Sequence, residues 1–298
     1  MAVSIDSKGP SERILLDRGL MKLREIPGYR WRVIRLNLSR VKRLHSATAP
    51  TADVIVSFTS IESRLHLCHL TVRSILTGTI RPQRVVLWLN DKLRGKIPKR
   101  LLQLVGSRFE IRYVANDEPH LKLLPSLHAF PQSVIVTCDD DMMYAPDWLE
   151  ILYADHQRFP QDIIAHVCRR IEHDESGVAR PYLLWRRENT YSARYQALLP
   201  LGFAGILYPA DCFNKEVHHA VAYRALAPKA DDLWFKFMSL RNGTTSRKVS
   251  RASGKPVMIS GSQTVALSST NCHDGNLLQW EAIVNHYGRP AFASPLPQ

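Results

Sequence analysis

Four short apolar runs, each followed by a polar loop and a helical stretch, constrain this chain more than any other feature. Residues 53–58, 84–89, 109–114 and 133–137 are rich in Val, Ile, Leu and aromatic side chains, which suits strands buried on both faces. Between them lie helical spacings at about 65–76, 99–105 and 121–130. In the first, Leu67, Leu70, Ser74 and Ile75 share a face that can cover a sheet, and Gly78 ends it. This alternation predicts an α/β fold: a Rossmann-like, mainly parallel sheet with flanking helices, holding ligands beyond the carboxyl ends of its strands. After about Asp162 the pattern loosens into β-like pieces at 163–167 and 181–185, so a mixed C-terminal half is expected.

Charge divides the chain in a second way. The net charge is +13, and the first 50 residues hold 11 Lys and Arg against four acids, leaving only +6 for the remaining 248. A small-residue stretch, Ala47 to Ala52, separates a basic N-terminal segment (1–50) from the α/β domain (51–298). Such an excess of positive charge points to an anionic partner: nucleic acid, an acidic membrane surface or a phosphorylated substrate. Trp31, Ile34, Leu38 and Val41 recur at helical spacing among the arginines. Two readings stay open for residues 1–46: peripheral contact with an anionic membrane, or a helix packed on the catalytic domain.

Five widely spaced cysteines without a C-x-x-C pair suit a reducing compartment, so the expected location is cytoplasmic. The longest apolar candidate, Leu198 to Ala210, is short and interrupted by Pro200, Gly202 and Pro209, which argues against a membrane span. Ile14-Leu15-Leu16 gives way at once to Asp17-Arg18, unlike a signal peptide. None of the 12 histidines forms a zinc pattern.

Cys138-Asp139-Asp140-Asp141 follows directly on the fourth apolar run. Three carboxylates at the end of a buried strand repel one another unless a cation or a donor-rich ligand is present, and clustered hard oxygen ligands suit Mg²⁺ or Mn²⁺. An EF-hand loop fails, with Met143 at its fifth position and Tyr144 where Gly is required. Asp139-x-Asp141 also fits the opening of a haloacid-dehalogenase-like phosphohydrolase, although Met143 and the late position of the strand depart from that pattern.

Four stretches taken together carry a family resemblance. Val-Ser-Phe-Thr-Ser-x-x-x-Arg at 56–64, Val-Val-Leu-Trp-Leu at 85–89, Asp-Asp-Asp-x-x-Tyr-x-Pro-Asp-Trp-Leu at 139–149 and Asp-Asp-Leu-Trp at 231–234 resemble a bacterial GT-A fold glycosyltransferase of the family 2 type. The resemblance spans roughly 53–285. It implies a metal-dependent, inverting transfer from a nucleotide-diphosphate sugar, in the first place a UDP-sugar, to a saccharide or lipid-linked acceptor in surface polysaccharide synthesis. It further implies that Asp141, with Asp139 and His273, holds Mn²⁺ or Mg²⁺. Thr59, Arg64, Asp117, Lys122, Asp139 and Asp140 would meet the nucleotide, and Asp232, supported by Asp231, would deprotonate the acceptor. Asp274 is a further late candidate, and Trp185 and Trp234 are candidates for stacking on sugar rings. No nucleic-acid motif accompanies the basic charge, and carboxylate clusters oppose phosphate binding without a metal, so nucleic acid is not an expected partner.

Overall fold

A computed structural model describes residues 27–262 and 275–290. The chain divides into two compact units, one ending at Ser39 and one beginning at Arg40. In the first, residues 27–38 form a helix, α1. Arg40 is extended (φ −65°, ψ 130°), and Val41 opens a separate short helix, α2 (Val41–Leu44), so Val41 does not continue the stripe of Trp31, Ile34 and Leu38. Leu44 is buried in the second unit, where His45 bonds the Leu104 carbonyl and accepts from the Arg108 amide.

The second unit is built on strands β1 (Thr51–Thr59), β2 (Arg81–Asn90), β3 (Phe109–Val114), β4 (Val134–Thr137), β5 (Met142–Met143) and β6 (Ile163–Ala165). Then come β7 (Cys168–Arg170), β8 (Arg194–Tyr195), β9 (Leu198–Pro200), β10 (Ile206–Tyr208), β11 (Ser246–Lys248) and β12 (Val257–Met258). Eight of these form one mixed sheet in the order β3-β2-β1-β4-β10-β6-β11-β8. The four N-terminal strands are mutually parallel, while β10 runs antiparallel to both β4 and β6. The expected α/β fold, with its parallel first half and mixed second half, is the one observed.

Period-two alternation divides the core between the two faces of the sheet. Val54, Val56, Phe58, Val85, Leu87, Val136 and Leu207 point to one face. There they meet Val72, Ile75 and Leu76 of α3 (Cys68–Leu76), Leu101 of α4 (Lys99–Leu102) and Leu149, Ile151 and Leu152 of α6 (Trp148–Arg158). Ile55, Val86, Trp88, Ile135, Ile206 and Tyr208 point to the other. That face is covered by α5 (Leu124–Ala129), α7 (Ala220–Leu226), α8 (Asp231–Arg241) and the helix Asn276–Tyr287. Burying each large side chain contributes roughly 1.5–3 kcal/mol, and both faces need cover for that gain to be realised.

Two local expectations change. Residues 181–185 form a 3₁₀ turn (Tyr182–Leu184) and no strand. Tyr182 and Trp185 are buried and Leu183 and Leu184 exposed, the three-residue period of a turn of helix where a strand would alternate. The stretch 121–130 begins as a 3₁₀ turn (Pro119–Lys122) and becomes α5 only at Leu124. Among the described residues no helix is long and apolar enough to cross a membrane.

Candidate active site

The acidic triplet sits where β4 leaves the sheet. The Cys138 amide still bonds the Ser57 carbonyl of β1, so Asp139 is the first residue past the pairing. Since β10 runs antiparallel to β4 and Ile206 pairs with Thr137, the segment just before β10 is delivered to the same edge. Tyr144 joins the two: its hydroxyl accepts from the Asp139 amide at 2.9 Å and donates to the Phe203 carbonyl at 2.9 Å. Trp148 adds a bond from its indole N–H to the Ala204 carbonyl at 2.7 Å. Gly205 has φ +105°, and a Cβ there would lie 2.4 Å from that indole nitrogen, so only glycine fits.

Asp140 faces into the protein. It accepts from the Ser60 hydroxyl and from Arg64 Nη1 (2.9 Å), while its backbone carbonyl accepts from Thr71 Oγ1 (2.8 Å). Arg64 Nη1 also lies 3.2 Å from Asp141 Oδ2. Arg64 Nε is buried and has no acceptor among the described residues. Beneath this arm Cys68 is fully buried, its thiol donating to Ser60 Oγ at 3.2 Å. Burial raises the Asp140 carboxyl to about 6 against the lowering effect of Arg64 and Ser60.

Lys122 occupies the other side. Its ammonium is buried 2.7 Å from Asp231 Oδ2, 3.2 Å from Asp232 Oδ1 and 3.8 Å from Asp139 Oδ1. Burial disfavours its charge, but the three carboxylates outweigh that and hold its pKa well above the ordinary value. Desolvation raises Asp139 to about 7 although Lys122 pulls it down. Asp232 is raised too, first by burial, with Lys122 opposing and Asp231 adding repulsion. Both Asp231 and Asp232 open α8, where the helix dipole favours negative charge.

Gly202 completes the arrangement. Its amide donates to Asp232 Oδ2 at 2.9 Å. A Cβ at Gly202 would lie 2.4 Å from Lys122 Nζ and 2.8 Å from Asp232 Oδ1, so the lysine and the carboxylate approach through the space a side chain would fill. The turn carrying Lys122 is moored by Glu118, which accepts from Tyr223 (2.6 Å) and from two guanidinium nitrogens of Arg224 (2.9 and 3.0 Å). Partial burial works against ionisation of Glu118, yet these bonds hold its carboxyl below the usual range. Fully buried His120 stacks on Tyr223, with no hydrogen-bond partner for either ring nitrogen among the described residues.

Of the residues singled out from sequence, Arg64, Lys122, Asp139, Asp140, Asp141, Asp231 and Asp232 come together at this edge. Thr59 ends β1 nearby and donates to the Trp88 carbonyl. Asp117 is exposed after β3 and makes no hydrogen bond or ion pair among the described residues. His273 and Asp274 lie outside the described residues. Trp185 and Trp234 are fully buried, donating to the Arg180 and Val217 carbonyls, so neither offers a face to a sugar. Ser60 stands in the 56–64 motif without an assigned role, and Glu118, a loop glutamate, carries no sequence pattern of its own. In the sequence Gly202 stands out only as an interruption of the apolar stretch 198–210.

The donor set fits a divalent cation only in part. Among the described residues no three His, Cys, Asp or Glu side chains form a ready metal site, and Asp140 is already taken up by Ser60 and Arg64. Five carboxyl groups nevertheless face two cations, Arg64 and Lys122, a formal excess of three negative charges when all five are ionised. By the motif resemblance Asp139 and Asp141 would hold such an ion.

No family model matches the chain, and no curated protein does. Among solved structures, the crystal structure of 4-diphosphocytidyl-2C-methyl-D-erythritol synthase from Anaerococcus prevotii DSM 20548 is similar to it at 12% identity, over 72% of this chain and 95% of that one, with a TM-score of 0.44.

Proposed function

We propose that the protein is a glycosyltransferase that moves a sugar, with inversion, from a nucleotide-diphosphate sugar to a saccharide or lipid-linked acceptor. The reading rests on the resemblance of its motifs and on one observation: Asp139 and Asp232, more than 90 residues apart in sequence, meet on the single ammonium of Lys122.

Asp232 is the base. Direct displacement needs a carboxylate beside the acceptor hydroxyl, and burial makes this one a stronger base than an exposed aspartate. Lys122 and the Gly202 amide hold it ionised and oriented before the acceptor arrives, a form of preorganisation. On the opposite side the unpartnered Arg64 Nε supplies a donor for a phosphate oxygen. Bound between Asp139 and Asp141, Mg²⁺ or Mn²⁺ would neutralise charge on the departing diphosphate. A UDP-sugar is the first donor to try, and surface polysaccharide the first acceptor class, both by resemblance.

Release of nucleoside diphosphate from a panel of nucleotide sugars, with Mg²⁺ or Mn²⁺ added, tests this. Asp232→Asn is expected to lower kcat by about 10³-fold, within the span of general-base losses, while donor binding measured by calorimetry persists. Release that is indifferent to both Asp232→Asn and Asp139→Asn overturns the assignment. Turnover of a simple phosphate ester with inertness to every nucleotide sugar turns it toward a phosphohydrolase.

A further inference from the structure

The transferase chemistry leaves the basic helix α1 unexplained. Between Glu25 and Asp53 there is no acidic residue, while Arg30, Arg32, Arg35, Arg40, Lys42 and Arg43 fall in the interval. On α1 itself Trp31, Ile34 and Leu38 are 65%, 50% and 75% exposed. At about 100° per residue these three fall within an arc of about 60°. Arg30 and Arg35 lie about 40° beyond its two edges on the same geometry. Both arginines are exposed. The solvent face of the helix is therefore an apolar stripe with a cation on each side.

Each of these features bears on the partner. Trp beside Ile and Leu suits the boundary between headgroups and acyl chains, where an aromatic ring with a polar N–H is favoured. Arginines on both edges match phosphate groups spread across a surface. A groove of nucleic acid would be met by the arginines but would leave Ile34 and Leu38 in water. A second copy seated on the stripe would bring four arginines of like charge to one small interface. We infer that α1 docks the protein on an anionic phospholipid surface, Trp31, Ile34 and Leu38 entering the interface and Arg30 and Arg35 pairing with headgroup phosphates.

Co-sedimentation of the full chain with vesicles of phosphatidylglycerol and phosphatidylcholine, against vesicles of phosphatidylcholine alone, tests this without any nucleotide sugar, so its outcome is independent of the transferase assignment. The chain should pellet with the anionic vesicles at 0.1 M salt and be released at 0.5 M. The triple variant Trp31→Ser, Ile34→Ser, Leu38→Ser and the double variant Arg30→Glu, Arg35→Glu should each weaken binding at least tenfold. Their thermal midpoints should stay unchanged, because the altered side chains are exposed. Val221→Ser, which removes an equally exposed apolar residue (75%) elsewhere, should bind as the parent does. Equal pelleting of parent and triple variant overturns the inference, as does equal binding to neutral vesicles. So does a parent that is dimeric by light scattering when the triple variant is monomeric. Retention on a DNA duplex lost only in the arginine variant overturns it in favour of nucleic acid.

Discussion

Arg64 and Lys122 are both cations set among aspartates at one sheet edge, yet they do different work. Arg64 binds Asp140 and Asp141, neighbours within one motif, and with Ser60 and Thr71 it fixes the shape of the triplet loop. Lys122 joins the triplet to the first turn of α8, which lies 110 residues further along the chain. One cation stiffens a loop; the other ties two halves of the fold together and sets the charge of the candidate base. The difference implies unequal consequences of removal.

Lys122→Met should have the largest effect. It leaves Asp139, Asp231 and Asp232 close together without their shared cation, and breaking a buried pair of this kind costs about 3–5 kcal/mol. Denaturant unfolding should show that loss, and kcat should fall with it. A variant as stable as the parent would mean that the three carboxylates are not coupled through the lysine. Gly202→Ala comes next: the added methyl must displace Lys122 or Asp232, so kcat should drop about 10²-fold, the scale of a misplacement near 1 Å. Stability should change by only about 1–3 kcal/mol, the usual range for overpacking. Arg64→Lys keeps the charge but gives up the rigid guanidinium whose Nη1 meets both Asp140 and Asp141. Here KM for the donor should rise about tenfold with kcat nearly preserved, and an unchanged KM would remove Arg64 from the donor side.

The smallest effect at neutral pH belongs to His120, beside the Lys122 arm. Burial, the main cause, lowers its pKa from 6.5 to about 3. Between those values the unfolded chain binds a proton that the fold does not, so stability is lost as pH falls from 6.5 toward 3. His120→Phe should flatten that part of the profile, by on the order of 3 kcal/mol at pH 4, and should leave stability above pH 7 nearly as it was. An identical acid limb in both proteins would refute the assignment.

Much of the fold was legible because the first four strands are apolar on both faces and the helices between them keep their period. The triplet was legible for the same reason: carboxylates seldom follow such a run by accident. Less legible was anything requiring β10 to run against β4. That reversal places Gly202 beside Asp232, and no local pattern around 198–210 announces it. Lys122 is legible only through the family resemblance, because its carboxylate partners Asp231 and Asp232 come from α8 and not from its neighbours in sequence. Trp185 and Trp234 lie among acidic and basic residues in sequence, yet take the commoner place of a tryptophan, inside the aromatic core with Tyr182, Trp280 and Tyr223.

Cys68 carries a consequence for how the site moves. Its thiol lies fully buried against Ser60, on the inner side of Asp140. Burial and the Asp140 charge push its pKa up, so the reactive thiolate is scarce while the loop is closed. A thiol reagent can reach it only when the packing around Ser60 and the Arg64 carbonyl opens, so the alkylation rate of this sulfur should report local unfolding there. Because Ser60 and Arg64 also hold Asp140, a bound donor that fixes them should slow that reaction.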